Sequence, residues 1–168
     1  IIRTLLKEGS IDFAGKYFTL RDCELRPRGP RPQGPPLMIG SRGEQILRHT
    51  LPHVDLWNGW YAWNGNTVDG YRPIREQIDR ACLDTGRDPA TLGRTMAVEI
   101  HLPGSDGSHD PRSTPLRGTP EQVAQTLRAY AAEGIEHLQV VLSPNTSAAI
   151  EQFAPVIELL DRPDGGPA

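Results

Sequence analysis

Apolar positions along this chain alternate between short continuous runs and longer stretches with helical spacing. Short apolar runs that end in small or polar residues are typical of strands in a parallel sheet. They predict four strands, at Leu37–Gly40, Val54–Trp57, Arg94–Leu102 and His137–Leu142. The helical spacing predicts four helices, at Glu44–Leu51, Tyr71–Thr85, Pro120–Glu133 and Ser147–Leu160. From residue 37 onward the order is therefore strand and then helix, four times over.

Residue types at the ends and on the faces of these segments refine the prediction. Thr119 suits an N-cap, Pro120 suits the first helical position, and Gln122 completes a capping box. Gly134 is expected to end that helix. The first strand, Leu37–Gly40, is predicted to be buried. The last helix is predicted to turn five apolar residues inward: Ile150, Phe153, Ala154, Ile157 and Leu160.

Strict alternation of strand and helix indicates an α/β fold, with a parallel sheet and helices outside it. Four such units are half of a TIM (β/α)8 barrel, and we expect its C-terminal half. An open, doubly wound sheet is the alternative. The segment after Met38-Ile39 does not favour a dinucleotide site, because Gly40-Ser41-Arg42-Gly43 is not the G-x-G-x-x-G pattern.

The first 36 residues do not follow this alternation. Residues 1–8 resemble the end of a helix whose beginning is missing, and Gly9 is a suitable C-cap. Two short extended pieces follow around Ala14-Gly15, and a proline-rich connection occupies Arg26–Pro36. We therefore expect one partial barrel domain over 1–161, with 1–36 as helix end, hairpin and insertion, 37–161 as the four units, and 162–168 as a flexible tail.

Composition narrows the class of protein. The chain has 168 residues and a formal net charge of −3. A general nucleic-acid or membrane binder would normally be basic, so we expect neither partner. Cys23 and Cys82 match no metal or redox spacing, and the histidines show no metal-ligand spacing either. Reduced thiols are typical of a cytoplasmic protein.

The strongest candidate for a ligand site is the segment Gly40, Ser41, Arg42 and Gly43. It lies where the first predicted strand ends and the next helix begins, the edge at which parallel α/β folds bind ligands. Backbone N–H groups at a helix start, or the Arg42 guanidinium, suit a phosphate. The alternative is that the glycines only permit a turn.

Weaker candidates for substrate contacts follow the second strand. Asn58 stands at its carboxyl end, and Trp60, Tyr61 and Trp63 in the next loop suit either an aromatic lid over a substrate or simple packing of that loop. We take Asn58, Trp60 and Trp63 as the candidate substrate-binding residues.

The third and fourth strands offer further polar groups. Glu99 and His101 are two positions apart and share one strand face, with His101 nearer the carboxyl end. His101 is a weak candidate for proton transfer. Ser143 and Asn145 end the fourth strand and are possible substrate contacts. No Gly-x-Ser-x-Gly motif favours hydrolysis.

Four segments, taken together and in order, resemble a known family. They are a glycine-and-hairpin string at Gly9–Leu20, a proline-rich stretch leading to Ile-Gly at Pro27–Leu47, an Asp-Leu-Trp-Asn string within Val54–Asn58, and Gly-Thr-Pro-Glu followed by a strand at Gly118–Leu142. This order is similar to that of the luciferase-like monooxygenases, the bacterial-luciferase superfamily. The resemblance covers nearly the whole chain.

The resemblance implies a TIM barrel with an insertion before its fifth strand, and a flavin-type cofactor, FMN or the deazaflavin coenzyme F420, at its C-terminal mouth. It implies an oxidoreductase or monooxygenase acting on a small organic molecule, with most catalytic residues in the first half of the barrel. We expect a homo-oligomer, most simply a dimer, because half a barrel exposes apolar surface. A non-catalytic half-barrel or interaction module, and a different TIM-barrel enzyme, are the alternative functions.

Overall fold

The computed structural model describes residues 1–162. Its six strands are β1 Ser10–Ala14, β2 Thr19–Glu24, β3 Met38–Ile39, β4 Leu56–Gly59, β5 Gly93–His101 and β6 His137–Ser143. Its five α-helices are α1 Ile2–Glu8, α2 Glu44–Thr50, α3 Val68–Asp84, α4 Pro120–Ala132 and α5 Ser147–Asp161. None of these helices is long and apolar enough to cross a membrane.

The last four strands form one parallel sheet in the order β3-β4-β5-β6. Met38 lies beside Leu56, and Val98 lies beside Val140, so the four predicted strands are neighbours in chain order. In a doubly wound sheet the spatial order of the strands reverses at a switch point, whereas here the spatial order follows the chain order throughout. The prediction of four consecutive β/α units of a TIM barrel is therefore confirmed.

The core lies between this sheet and the helices. Successive side chains of β5 point to opposite faces of the sheet, and Met96, Val98 and Ile100 point to the helices, where all three are fully buried. They pack against buried residues of α3 and α4, namely Tyr71, Ile74, Ile78, Cys82, Val123, Ala124, Leu127 and Tyr130. Each large apolar side chain so buried contributes about 1.5–3 kcal/mol.

Local chemistry places the ends of the helices. The capping box predicted for α4 is present, with Thr119 and Gln122 each bonded to the other's backbone N–H group. Gly134 follows that helix with a φ of 88°. Helix α3 begins at Val68, earlier than the predicted Tyr71, because the Thr67 hydroxyl accepts a hydrogen bond from the Gly70 N–H.

Exposure corrects two predictions of burial. Strand β3 is only two residues long and Met38 is 41% exposed, because β3 pairs with β4 on one side only within residues 1–162. In α5, Ile150 is 62% and Ile157 is 45% exposed. Apolar residues occupy two adjacent faces of α5, and the face that packs inward carries Ala149, Phe153 and Val156.

The first 36 residues form the expected helix end, hairpin and connection. Gly9 ends α1 in the left-handed conformation, and β1 pairs with β2 antiparallel. The Arg28 guanidinium in the proline-rich segment donates to the backbone oxygens of Lys7 and Glu8 at the end of α1. This ties the connection to the helix by capping its last carbonyls. Most of the expected flexible tail, residues 163–168, lies outside the described residues.

Two tyrosines in the core predict an alkaline instability. Burial raises the pKa of Tyr71 and of Tyr130 from 10.0 to about 12. The folded state therefore favours the neutral phenol, so the stability that these groups contribute is present below pH 10 and is lost as the pH rises from 10 to 12.

We expect the free energy of unfolding in urea to fall across that interval. In the double variant Tyr71→Phe, Tyr130→Phe it should fall less steeply, since no phenol remains to ionise at either position. An equally steep fall in the double variant would assign the effect to other groups.

Candidate functional site

The predicted site residues lie at or near the carboxyl ends of the parallel strands. Because β3 to β6 are parallel, their carboxyl ends lie on the same side. Gly40 follows β3, Trp60 follows β4, and His101 and Ser143 are the last residues of β5 and β6. His101 and Ser143 are direct neighbours in the ladder. In a TIM barrel this edge is the mouth that carries the active site.

The Gly40–Gly43 segment is fixed by its own hydrogen bonds. The indole Nε1–H of the buried Trp57 donates to the Ser41 backbone oxygen at 2.7 Å. The Gly43 N–H donates to the Ser41 hydroxyl at 3.2 Å, and the Arg42 guanidinium donates to the Gln77 side chain of α3. The Gly43 N–H and Arg42 thus already have partners within the chain, which weakens the prediction that they bind a phosphate.

Gly40 lies at the carboxyl edge of the sheet, and no contact among residues 1–162 requires a glycine there. Its φ is not in the left-handed region, and a Cβ built on it would meet only the Asn58 backbone oxygen, at 3.7 Å. Gly43 also has an ordinary φ, of −69°. Neither glycine has the left-handed φ that a turn would need glycine for, so the cofactor role of the segment and the alternative of a simple turn both stay predictions. What remains is an open space beside the Gly40 Cα, on the edge where ligands bind.

The inner face of the sheet, opposite the helices, begins with polar groups and continues with apolar ones. The Thr95 hydroxyl donates to Asn58 Oδ1 at 2.6 Å. Next along β5, Ala97 packs with Tyr61, Ala62 and Val141 in a small apolar cluster. Asn58 therefore faces the inside of the partial barrel, as a substrate contact requires, but its side chain is bonded to Thr95.

The two candidate tryptophans occupy different places. Trp60 stacks on Tyr61 with ring centroids 4.3 Å apart and is 38% exposed at the sheet edge. Trp63 lies 6.3 Å from Trp57 and packs against the main core. Trp60 is thus placed where an aromatic lid could form, whereas Trp63 packs its own loop against the core.

Glu99 and His101 form the centre of a buried polar cluster on the same inner face. His101 Nε2 lies 3.3 Å from Glu99 Oε1, and the Ser113 hydroxyl donates to Glu99 Oε2 at 3.1 Å. On the other side of the ring, His101 Nδ1 lies 2.8 Å from the Arg117 guanidinium and 2.9 Å from the Ser105 hydroxyl. Residues from β5 and from the loop after it are brought together here.

Arg117 determines which ring nitrogen of His101 carries the proton. A guanidinium can only donate, so His101 Nδ1 accepts from it and must be unprotonated. The proton of the neutral ring then lies on Nε2 and is donated to Glu99. Because Arg117 occupies the Nδ1 lone pair, His101 is not poised as a base in this arrangement; its role in proton transfer stays a prediction.

Asn66 is a buried residue of this edge that sequence reasoning missed. Its side-chain NH₂ donates to the backbone oxygens of Glu99 and Thr114, at 2.8 and 3.0 Å, and its Oδ1 accepts from the Glu99 N–H at 3.1 Å. Strand β4 ends opposite Met96, so the Asn66 amide takes the place of a neighbouring strand beside Glu99. The only local signal was Asn64-Gly65-Asn66, a pattern that favours left-handed backbone.

The loop between β5 and α4 contains a local ion pair. Arg112 and Asp110 pair through two side-chain hydrogen bonds, which lower the pKa of Asp110 to about 2. Burial and the nearby carboxylates of Glu99 and Asp110 raise the pKa of Tyr61. Among residues 1–162 no group of three His, Cys, Asp or Glu side chains is close enough to hold a metal ion.

Comparison with known proteins assigns the family. The profile of the luciferase-like monooxygenases matches residues 1–106, more than half of the sequence. The chain belongs to the luciferase-like monooxygenase family. The resemblance stated from the sequence is thereby confirmed.

Individual relatives match this family member only in part. Pyrimidine monooxygenase RutA of Caulobacter vibrioides is 28% identical over 98 residues, which are 58% of this chain and 27% of that protein. An F420-dependent secondary alcohol dehydrogenase, solved with an F420–acetone adduct, superposes with a TM-score of 0.66 at 17% identity, over 94% of this chain and 58% of that one. The coenzyme F420 dependent tetrahydromethanopterin reductase from Methanopyrus kandleri gives 0.67 at 14% identity, over 95% and 61%. The chain thus has the fold of these luciferase-like barrels and spans about three fifths of each.

Proposed function

We propose that this protein is a flavin- or deazaflavin-dependent oxidoreductase that acts on a small organic molecule at the carboxyl edge of its barrel. The observation that carries the proposal is the open Cα face of Gly40 at the carboxyl end of β3, the edge of the sheet at which TIM barrels bind their ligands. A flat ring system or a phosphate of a cofactor, FMN or F420, would fill that space. Family membership and the fold support the same class of cofactor.

In this proposal the residues of the chain position the cofactor and the substrate, and the cofactor carries out the redox chemistry. A flavin or deazaflavin, when bound, supplies hydride transfer, and FMN can also activate oxygen. Gly40 and Ser41 would lie against the cofactor, with the Ser41 backbone held by Trp57. The apolar cluster of Ala97 and Tyr61 would keep water from the ring, while Asn58 and Trp60 would contact the substrate.

The extent of the site follows from the fold. Four strands account for half of an eight-stranded mouth, so the remaining contacts would come from other strands of the barrel. Residues 1–161 would be one part of that barrel domain. The protein would be a homodimer in the cytoplasm, with no nucleic acid or membrane as partner.

The test is a binding titration of the complete protein with each cofactor. We expect saturable changes in the visible absorbance or fluorescence of FMN or of F420, and tighter binding of one of them, which identifies the cofactor. Riboflavin serves as a control that lacks the phosphate. Failure of both FMN and F420 to bind to the folded protein would refute the proposed function.

A further inference from the structure

Arg117 is a cation at the carboxyl edge that forms no ion pair within residues 1–162. Its guanidinium rests on the ring of His101, yet no carboxylate of residues 1–162 forms an ion pair with it. Arg112, in the same loop, behaves differently: it pairs with Asp110 at 2.7 Å. A guanidinium that is held in place but not neutralised can bind an anion.

A chain of buried groups holds the Arg117 guanidinium against the sheet edge. The Ser113 hydroxyl donates to Glu99, Glu99 accepts from His101 Nε2–H, and His101 Nδ1 accepts from Arg117. His101 and Glu99 are 4% and 5% exposed, so their side chains cannot swing away into solvent. Arg117 itself is exposed, and one of its five N–H groups is used in this contact, so the others are accessible to a ligand.

Two hydroxyl groups lie on the same Nδ1 side of the His101 ring as this guanidinium. Ser105 Oγ is 2.9 Å from His101 Nδ1 and 2.9 Å from Ser143 Oγ, and it accepts a hydrogen bond from the Gly107 N–H. Both serines are half-buried at the ends of β5 and β6. When Ser105 donates to Ser143, the Ser143 O–H and the remaining N–H groups of Arg117 are donors of the kind that binds the oxygens of a carboxylate or a phosphate.

The same atoms also suggest a Ser–His–Glu nucleophile, and the structure argues against it. Activation of the Ser105 hydroxyl requires the lone pair of His101 Nδ1 as base. Arg117 lies 2.8 Å from that nitrogen and cannot accept a proton in exchange. The Ser105 hydroxyl therefore has Ser143 as its acceptor, and the cluster is better suited to binding than to nucleophilic attack.

We infer that Arg117 and Ser143, with Ser105 holding the Ser143 hydroxyl, bind an anionic oxygen group of the substrate, a carboxylate or a phosphate. By the register of the sheet, Gly40 lies level with Thr95, so the site is two strands across from Gly40 and about 20 Å further along the strand direction. The inference rests on the proposed function for its ligand: the substrate of the oxidoreductase would carry an acidic group on the side away from the Gly40 edge. His101 and Glu99 are positioning residues that act through Arg117.

The experiment uses the complete protein labelled with ¹⁵N-histidine. The ring signals of His101, assigned by their loss in His101→Gln, are followed by NMR during titration with inorganic phosphate and, separately, with acetate. Sodium chloride keeps the ionic strength constant. We expect a saturable shift of the Nδ1 signal as the anion competes for Arg117, and the probe that binds more tightly identifies the anion class.

Two matched variants make the result specific. Arg117→Met removes the charge and should weaken anion binding at least about tenfold, the loss of one charge-assisted contact. Arg112→Met removes a guanidinium of the same loop that is already paired with Asp110, and it should leave the anion response unchanged. Absence of a saturable shift in the native protein, or an equal response in Arg117→Met, would overturn the inference.

Cofactor titrations separate this inference from the proposed function. FMN or F420 should bind Arg117→Met as tightly as the native protein, because Arg117 is not part of the Gly40 edge. If a cofactor binds but neither anion shifts His101, the anion site is refuted and the function stands. If the anions shift His101 but no cofactor binds, the function is refuted and the anion site stands.

Discussion

Valine in place of Gly40 is expected to weaken cofactor binding by about 10- to 100-fold while the protein stays folded. The Cβ of the new side chain would meet only one atom of the chain at ordinary contact distance, so the fold tolerates it. The two methyl groups would enter the space assigned to the cofactor. Overpacking of this kind costs about 1–3 kcal/mol, and each 1.4 kcal/mol is a factor of ten in affinity.

Gly29→Val is the matched control for this variant. Gly29 also has an ordinary φ, and a Cβ built on it would meet no atom within 4 Å, but it lies in the proline-rich segment away from the sheet edge. Dissociation constants for FMN and F420, measured with thermal midpoints for both variants, check the prediction. Unchanged affinity in a folded Gly40→Val protein would remove this segment from the cofactor site.

The elements of the fold could be predicted because their signals are local. The capping box at Thr119 and the alternation along β5 each lie within a few residues, and both have the predicted structure. Burial was predicted less well, because it depends on what covers each face. Met38 and Ile150 have the hydrophobicity of core residues, but they are exposed because no other element within residues 1–162 packs over them.

Some residues of the candidate site could likewise be predicted from the sequence, and others could not. Gly40 and His101 could be found from their positions at strand ends. The groups that determine the protonation and hydrogen bonding of His101 could not be found in this way. Arg117 and Ser105 come from an irregular loop, and no periodic sequence pattern predicts its path. Asn66 donates hydrogen bonds to backbone groups 33 and 48 positions away, and no local sequence pattern predicts such contacts.

Asn66→Ala is expected to lower the free energy of unfolding by about 3–5 kcal/mol, the largest effect on stability that we predict for this edge. Asn66 is fully buried, and its removal leaves the Glu99 N–H without its side-chain partner and takes a donor from two carbonyl oxygens. Each buried group that loses its partner costs about 1–3 kcal/mol. The φ of 61° adds about 1 kcal/mol of strain for alanine.

Asn66→Gly separates the two contributions, since glycine adopts this φ without strain but lacks the same hydrogen bonds. If the amide replaces a strand, Asn66→Gly should still lose most of the stability that Asn66→Ala loses. Asn145→Ala, an exposed asparagine after β6, should change the free energy of unfolding by less than about 0.5 kcal/mol. Urea unfolding of the complete protein measures all three. A nearly native Asn66→Gly would mean that backbone conformation, and not the amide bridge between β5 and its loop, is what Asn66 provides.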